Sequence, residues 1–223
     1  IFCLYRVDIP PSKKFLRLFL VLHHFNIKRF YSSINLESSI HPIYFERNHM
    51  KVYDTSFAPY IGITDFKNKK QALSALTLFA SLTNGIIPHK LMIGVMMSYK
   101  TLHKLETKWT KAFPKNADVS TIFADHPLAF NTLHDADYTN TDVFNSLSQA
   151  IFYGGVCIDA IQLDMIWPKP ADIANAVHAS RRSVSVILQV GQNAMLEAGD
   201  SPKEVLMRLE DYTDVIDGVL FDK

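Results

Sequence analysis

Short apolar runs alternate with stretches of helical periodicity along most of this chain. Runs near 60–64, 91–97, 128–133, 157–164, 184–190 and 218–222 are apolar. The last three are rich in β-branched residues, as parallel strands covered on both faces are. Between the runs, Ala72, Ala75, Leu76, Phe79 and Leu82 recur at helical spacing and predict a helix over 67–83. Val143, Phe144, Leu147, Ala150 and Ile151 predict another over 142–153, and two more are predicted over 170–180 and 201–212. Asn84-Gly85 and Gly154-Gly155 supply stops. Ser201 reads as an N-cap, Pro202 as the first helical residue and Glu204 as the capping-box partner. Val205, Leu206 and Leu209 then face the sheet. Arg181-Arg182 is placed to cap the carbonyls of the helix before it. The polar text from Thr101 to Asp118, with Trp109, Phe113 and Pro114, predicts a long loop.

A repeated strand-helix unit means an α/β fold with a parallel sheet, either doubly wound or closed into a barrel. No Gly-rich phosphate loop follows any strand, which tilts the choice to a TIM (β/α)8-type barrel. About six units are present, and Lys223 follows directly on a strand, so C-terminal units are expected to be missing.

Residues 1–49 carry a different pattern. Pro10-Pro11 precedes an apolar burst from Phe15 to Leu22, which His23-His24 interrupts. The burst follows Lys13-Lys14 but lacks the small-residue cleavage site of a signal peptide. With Lys13, Lys14 and Arg17 beside Phe15, Leu16 and Phe19, it could also lie on a membrane surface as a helix. The expectation drawn here is an N-terminal extension that adds no strand to the sheet, with the native start at Met50. Residues 50–223 then form the partial barrel domain, in which Lys51-Val-Tyr53 is a further extended candidate.

Composition narrows the function classes without selecting one. The apolar fraction is 48%, the charged fraction 20% and the formal net charge +1. Nothing in that balance points to nucleic acid or an anionic membrane. No apolar run approaches the roughly 20 residues that cross a bilayer. The two cysteines, Cys3 and Cys157, read as free thiols of a reducing, cytoplasmic compartment.

The candidate chemistry sits at strand ends. Asp164 and Asp222 each close a strand, and in parallel α/β folds chemistry gathers where strands end and loops begin. Asp65 follows the first strand in the same way. Gln162 points into the sheet, either to hold a ligand or to satisfy a core hydrogen bond, and Asn131 is a second candidate substrate contact. Lys100, with His103, Lys104 and Lys108, offers cations to an anionic substrate, or simply forms a solvated face. Lys67, Lys69 and Lys70 read as a wet first helical turn. His134, Asp135 and Asp137 lie close together but match no metal-ligand spacing, so no metal is assigned.

Three segments, in order, resemble phosphoribosylanthranilate isomerase. Tyr60-Ile-Gly-Ile-Thr64 is similar to that family's first strand, Lys-Ile-Cys-Gly-Ile-Thr. Ala160-Ile-Gln-Leu-Asp164 resembles its fourth, Val-Gln-Leu-His-Gly, and Gly218-Val-Leu-Phe-Asp222 its sixth, Ile-Leu-Leu-Asp. The resemblance implies a (β/α)8 barrel of tryptophan biosynthesis that performs an Amadori rearrangement on a small phosphorylated substrate, without metal or organic cofactor. It makes Asp222 the general acid, assisted by Asp164 or Asp65. The family's cysteine position is Ile61, which carries no proton, and Asp164 stands where the family has histidine. Asp54, Tyr60 and Asp65 remain open as the base; Cys157 begins its strand, at the opposite face. Two other readings stand beside this one: a non-catalytic barrel binding a phosphosugar or a partner protein, and a Schiff-base lyase using Lys223.

Overall fold

The computed structural model describes residues 4–7, 18–21, 60–83 and 89–222. Six strands form its centre: β3 (Tyr60–Ile63), β4 (Lys90–Ser98), β5 (Ala129–Asp137), β6 (Ala160–Met165), β7 (Ser185–Val190) and β8 (Gly218–Phe221). Each pairs with the next in parallel, so spatial order follows chain order. The result is an α/β fold whose six parallel strands curl into a half-barrel.

Alternation along the strands produces two separate packing layers. On the concave face Tyr60, Met92, Phe130, Ala160, Ile187 and Leu220, one from each strand, form a single apolar cluster. The rings of Tyr60 and Phe130 meet there at 5.0 Å. On the convex face Ile93, Leu133, Ile161, Leu163 and Leu188 join the main core under the helices. Those helices are α1 (Lys69–Thr83), α2 (Tyr99–Leu102), α3 (Val119–Ile122), α4 (Val143–Gly154), α5 (Pro170–Ser180), α6 (Gln192–Glu197) and α7 (Pro202–Glu210).

Local chemistry accounts for many of the boundaries. Ser201 accepts from the Glu204 amide at 3.3 Å, while the Glu204 carboxylate turns to Arg208 at 3.1 Å instead of completing the capping box. Gly155, at φ 71°, ends α4 as expected. Arg182 does not cap α5, the helix before it. Its guanidinium reaches Ile151 and Gly155 carbonyls and so closes α4, because Arg181 turns the chain at φ 54°. Two residues expected on buried helix faces, Leu82 and Phe144, are exposed.

Three differences from the sequence-based expectation concern elements. Residues 1–49 do supply strands: β2 (Leu18–Val21) pairs in parallel with β8, and β1 (Leu4–Val7) pairs antiparallel with β2. The Phe15–Leu22 burst thus contributes an apolar strand, the kind of run whose length alone does not separate strand from helix. The segment 101–118 is not a plain loop, since α2 enters it and a 3-10 turn over Asn116–Asp118 leads into α3. Finally, β5 continues past Leu133 to Asp137, because its polar end finds partners on both β4 and β6. The extended candidate at 51–53, Asn84-Gly85, and Lys13 to Arg17 lie outside the described residues. Among the described residues no helix is long and apolar enough to cross a membrane.

Candidate active site

A cleft of about 1070 Å³ opens at the C-terminal ends of the six strands. It exists because the inward-facing positions change character along each strand. They are apolar at the floor and polar at the rim: Phe130 gives way to His134, Ala160 to Gln162 and Asp164, Ile187 to Gln189, and Leu220 to Asp222. A smaller annex of about 320 Å³, beside Gly191 and Asn193, shares His134, Asp164 and Asp222 with it.

Asp164 and Asp222 therefore face one cavity. They stand on β6 and just beyond β8, alternate strands with β7 between, the arrangement that shares a layer in barrel interiors. An amide chain links this layer. Gln162 Nε2 donates to Gln189 Oε1 at 2.7 Å, and Gln189 Nε2 donates to Asp222 Oδ2 at 3.2 Å. Gln162 thus both lines the cleft and satisfies a core hydrogen bond. Gln189 has the same inward alternation, and that parity is the signal by which its place could have been read.

Asp164 has a different environment. The Tyr138 hydroxyl donates to its Oδ2, and His134 Nε2 lies 3.6 Å from the same oxygen. Tyr138 is 54% exposed, yet its phenol is pushed well above its ordinary pKa. Burial of the hydroxyl is the larger cause, followed by the bond to Asp164 and the charges of Asp164 and Asp222. The phenol accordingly stays a donor. Nothing in the sequence marked Tyr138, which lies on an irregular connection.

The other predicted residues divide. Asp65 lines the cleft from its outer edge, exposed, at φ 66°. Gly94 permits this crossing: a Cβ there would stand 2.9 Å from Thr64 Cγ2 and 3.0 Å from the Ile63 carbonyl oxygen. Lys100 reaches the cleft, as do Lys67 and Lys108, whereas His103 and Lys104 do not line it. Lys67 is solvent-exposed as expected and also borders the cleft. Asn131 is a correction. It is 3% exposed and absent from the cleft. Its side chain accepts from the Ala124 amide at 3.0 Å and donates to the carbonyls of Ala124 and Cys157, tying loops at the far end of the strands. Asp54 and Lys223 lie outside the described residues.

The sheet also separates the acidic cluster on β5. His134 faces the cleft, while Asp135 lies beside Met97 and Leu163 in the convex core. Asp137 accepts from the Thr139 amide, the Thr139 hydroxyl and the Thr141 amide, and so shapes the turn into α4. Among the described residues no group of three or more His, Cys, Asp or Glu could hold a metal ion. Ile61 packs against the convex core, whereas Tyr60, Gly62 and Thr64 line the cleft. Tyr60 sits in the floor, where burial raises its pKa far above the ordinary value. No protein-family model matches this chain, and no curated protein sequence matches it.

Proposed function

We propose that this cleft is the active site of a phosphoribosylanthranilate isomerase-like enzyme, built on six parallel strands of TIM-type barrel architecture. The observation that carries the reading is the convergence of Asp164 and Asp222 on one cavity in unlike settings: Asp222 is linked to a neutral amide chain, and Asp164 lies beside a phenol and an imidazole. An Amadori rearrangement needs one group to give a proton and another to take one, and unlike surroundings are how two roles are separated.

Asp222, held by Gln189, gives its proton to the ring oxygen of the sugar as the C1–O bond breaks. The apolar floor of Met92, Phe130 and Leu220 excludes water beneath the reacting carbons. Lys67, Lys100 and Lys108, which also line the cleft, supply cations for the anionic groups of the substrate. The steps open the ring and move protons between the substrate and side chains, and the net isomerisation leaves the overall oxidation level unchanged, so the chemistry calls on no redox group.

The test is an isomerase assay of the chain with phosphoribosylanthranilate. Turnover is expected, with Asp222→Asn lowering kcat by about a hundredfold or more. A wild type that binds ribose 5-phosphate calorimetrically without any turnover is instead a phosphosugar-binding barrel. One that does neither removes the reading.

A further inference from the structure

The isomerase reading leaves one proton without an acceptor, since Ile61 is turned away from the cleft. The groups on the cleft wall differ in what they are free to do. Asp137 is held by three bonds from Thr139 and Thr141. Asp222 is the acid. Asp65 stands exposed at the edge of the cleft, and the Tyr60 phenol is buried in an apolar floor that disfavours its ionisation. His134 is placed otherwise. It projects inward from β5, in register with Met96 on one side and Gln162 on the other. Its Nε2 is buried without a hydrogen-bond partner among the described residues, 3.6 Å from Asp164 Oδ2, and both side chains are 13% exposed.

The geometry points to His134 as the base that removes the C2 proton, with Asp164 as its positioning residue; this rests on the isomerase reading above. At 3.6 Å the contact is longer than a hydrogen bond but within ion-pair reach, so it tightens when the imidazole takes up a proton. Tyr138 holds the same carboxylate oxygen and fixes where Asp164 points.

The step balances. In the ring-opened iminium the C2–H bond breaks, its electron pair forms the C1=C2 bond, and the iminium pair moves onto nitrogen. The proton rests on His134, as imidazolium facing Asp164. That proton then adds to C1 while the enol hydroxyl at C2 gives its own to the Asp222 carboxylate. A ketone forms, and both protein groups return to their starting states. Histidine suits the task because its ordinary pKa lies near neutrality.

The test uses phosphoribosylanthranilate with protium or deuterium at C2. For the wild type a primary isotope effect on kcat is expected. His134→Gln is expected to lose about a hundredfold or more in kcat, with KM changed less than about threefold. Turnover by His134→Gln within about threefold of the wild type overturns the inference and leaves the isomerase reading standing. The second measurement needs no turnover. Carbethoxylation of His134 by diethyl pyrocarbonate, followed by mass spectrometry, is expected to be at least about threefold faster in the wild type than in Asp164→Asn. Equal rates overturn the pairing, whether or not the isomerase reading holds.

Discussion

His134 and Asp135 are consecutive on β5, and the sheet sends them into opposite environments. His134 enters the polar rim of the cleft, where its neighbours are Asp164 and Gln162. Asp135 is 1% exposed in the convex core, with no hydrogen-bond partner among the described residues at either carboxyl oxygen. Burial, and after it the charge of Asp137, pushes the Asp135 carboxyl up to about 7. On the concave face the buried amides of Gln162 and Gln189 are joined into a chain that ends on the exposed Asp222 carboxylate. A buried polar side chain is thus satisfied on one face of the sheet and a stability liability on the other. What separates the two cases is the partner each finds, because an unpaired buried polar group costs its full desolvation.

The contrast is tested most strongly on the convex side. Ile161 is fully buried between the sheet and its helices. Ile161→Ala should cost about 2–5 kcal/mol in chemical denaturation, through lost transfer energy and the cavity left behind. A loss under about 1 kcal/mol would show that this layer is not the core.

Asp135→Asn gives the next largest effect, and its sign depends on pH. The folded carboxyl holds its proton to about pH 7, whereas the unfolded one releases it near 3.8. Between those values the folded state binds more protons, so wild-type stability declines as pH rises through the window and levels off above it. Asp135→Asn should flatten this decline and be more stable than the wild type at pH 8, by on the order of a few kcal/mol. Parallel pH–stability curves for the two proteins would refute the assignment.

On the concave side, effects should fall on turnover rather than on folding. Gln189→Leu removes the link between Gln162 and Asp222 and should slow isomerisation by about tenfold or more, with Tm shifted by only a few degrees. A large Tm loss with unchanged kcat would make the chain structural.

The smallest perturbation is Gly191→Ala. A Cβ there would lie 3.7 Å from Asp164 Oδ1 and 3.9 Å from Gln189 Nε2, ordinary contact distances, on a backbone at φ −83° that alanine adopts freely. Stability should stay within about 0.5 kcal/mol, while the methyl narrows the space beside Asp164 and raises KM for phosphoribosylanthranilate. An unchanged KM would place the substrate elsewhere in the cleft.

The elements themselves were legible wherever one kind of signal dominated. Apolar runs at 91–97, 184–190 and 218–222 became β4, β7 and β8 within a residue or two. Gly155 stopped α4 through its positive φ, and Ser201 began α7 through its hydroxyl. The end of β5 was not legible, because His134-Asp-Ala-Asp137 is held as strand by its neighbours rather than by its own hydrophobicity. Helix α6 is only six residues long and too short to show a period. The strand at Leu18–Val21 needed a partner about 200 residues away to reveal itself.

Sequence alone determined the alternation of strands and helices, the carboxylates at two strand ends, and the parity that turns Gln162 inward, since all three follow from local spacing. Tertiary structure decided which of those residues meet. Asp164 and Asp222 share a cavity because one strand lies between theirs, Gln189 joins them because it is on that strand, and Asn131, next to the inward-facing Phe130, is turned away from it. Strand order and depth along the barrel axis arise from long-range pairing, which local spacing does not encode.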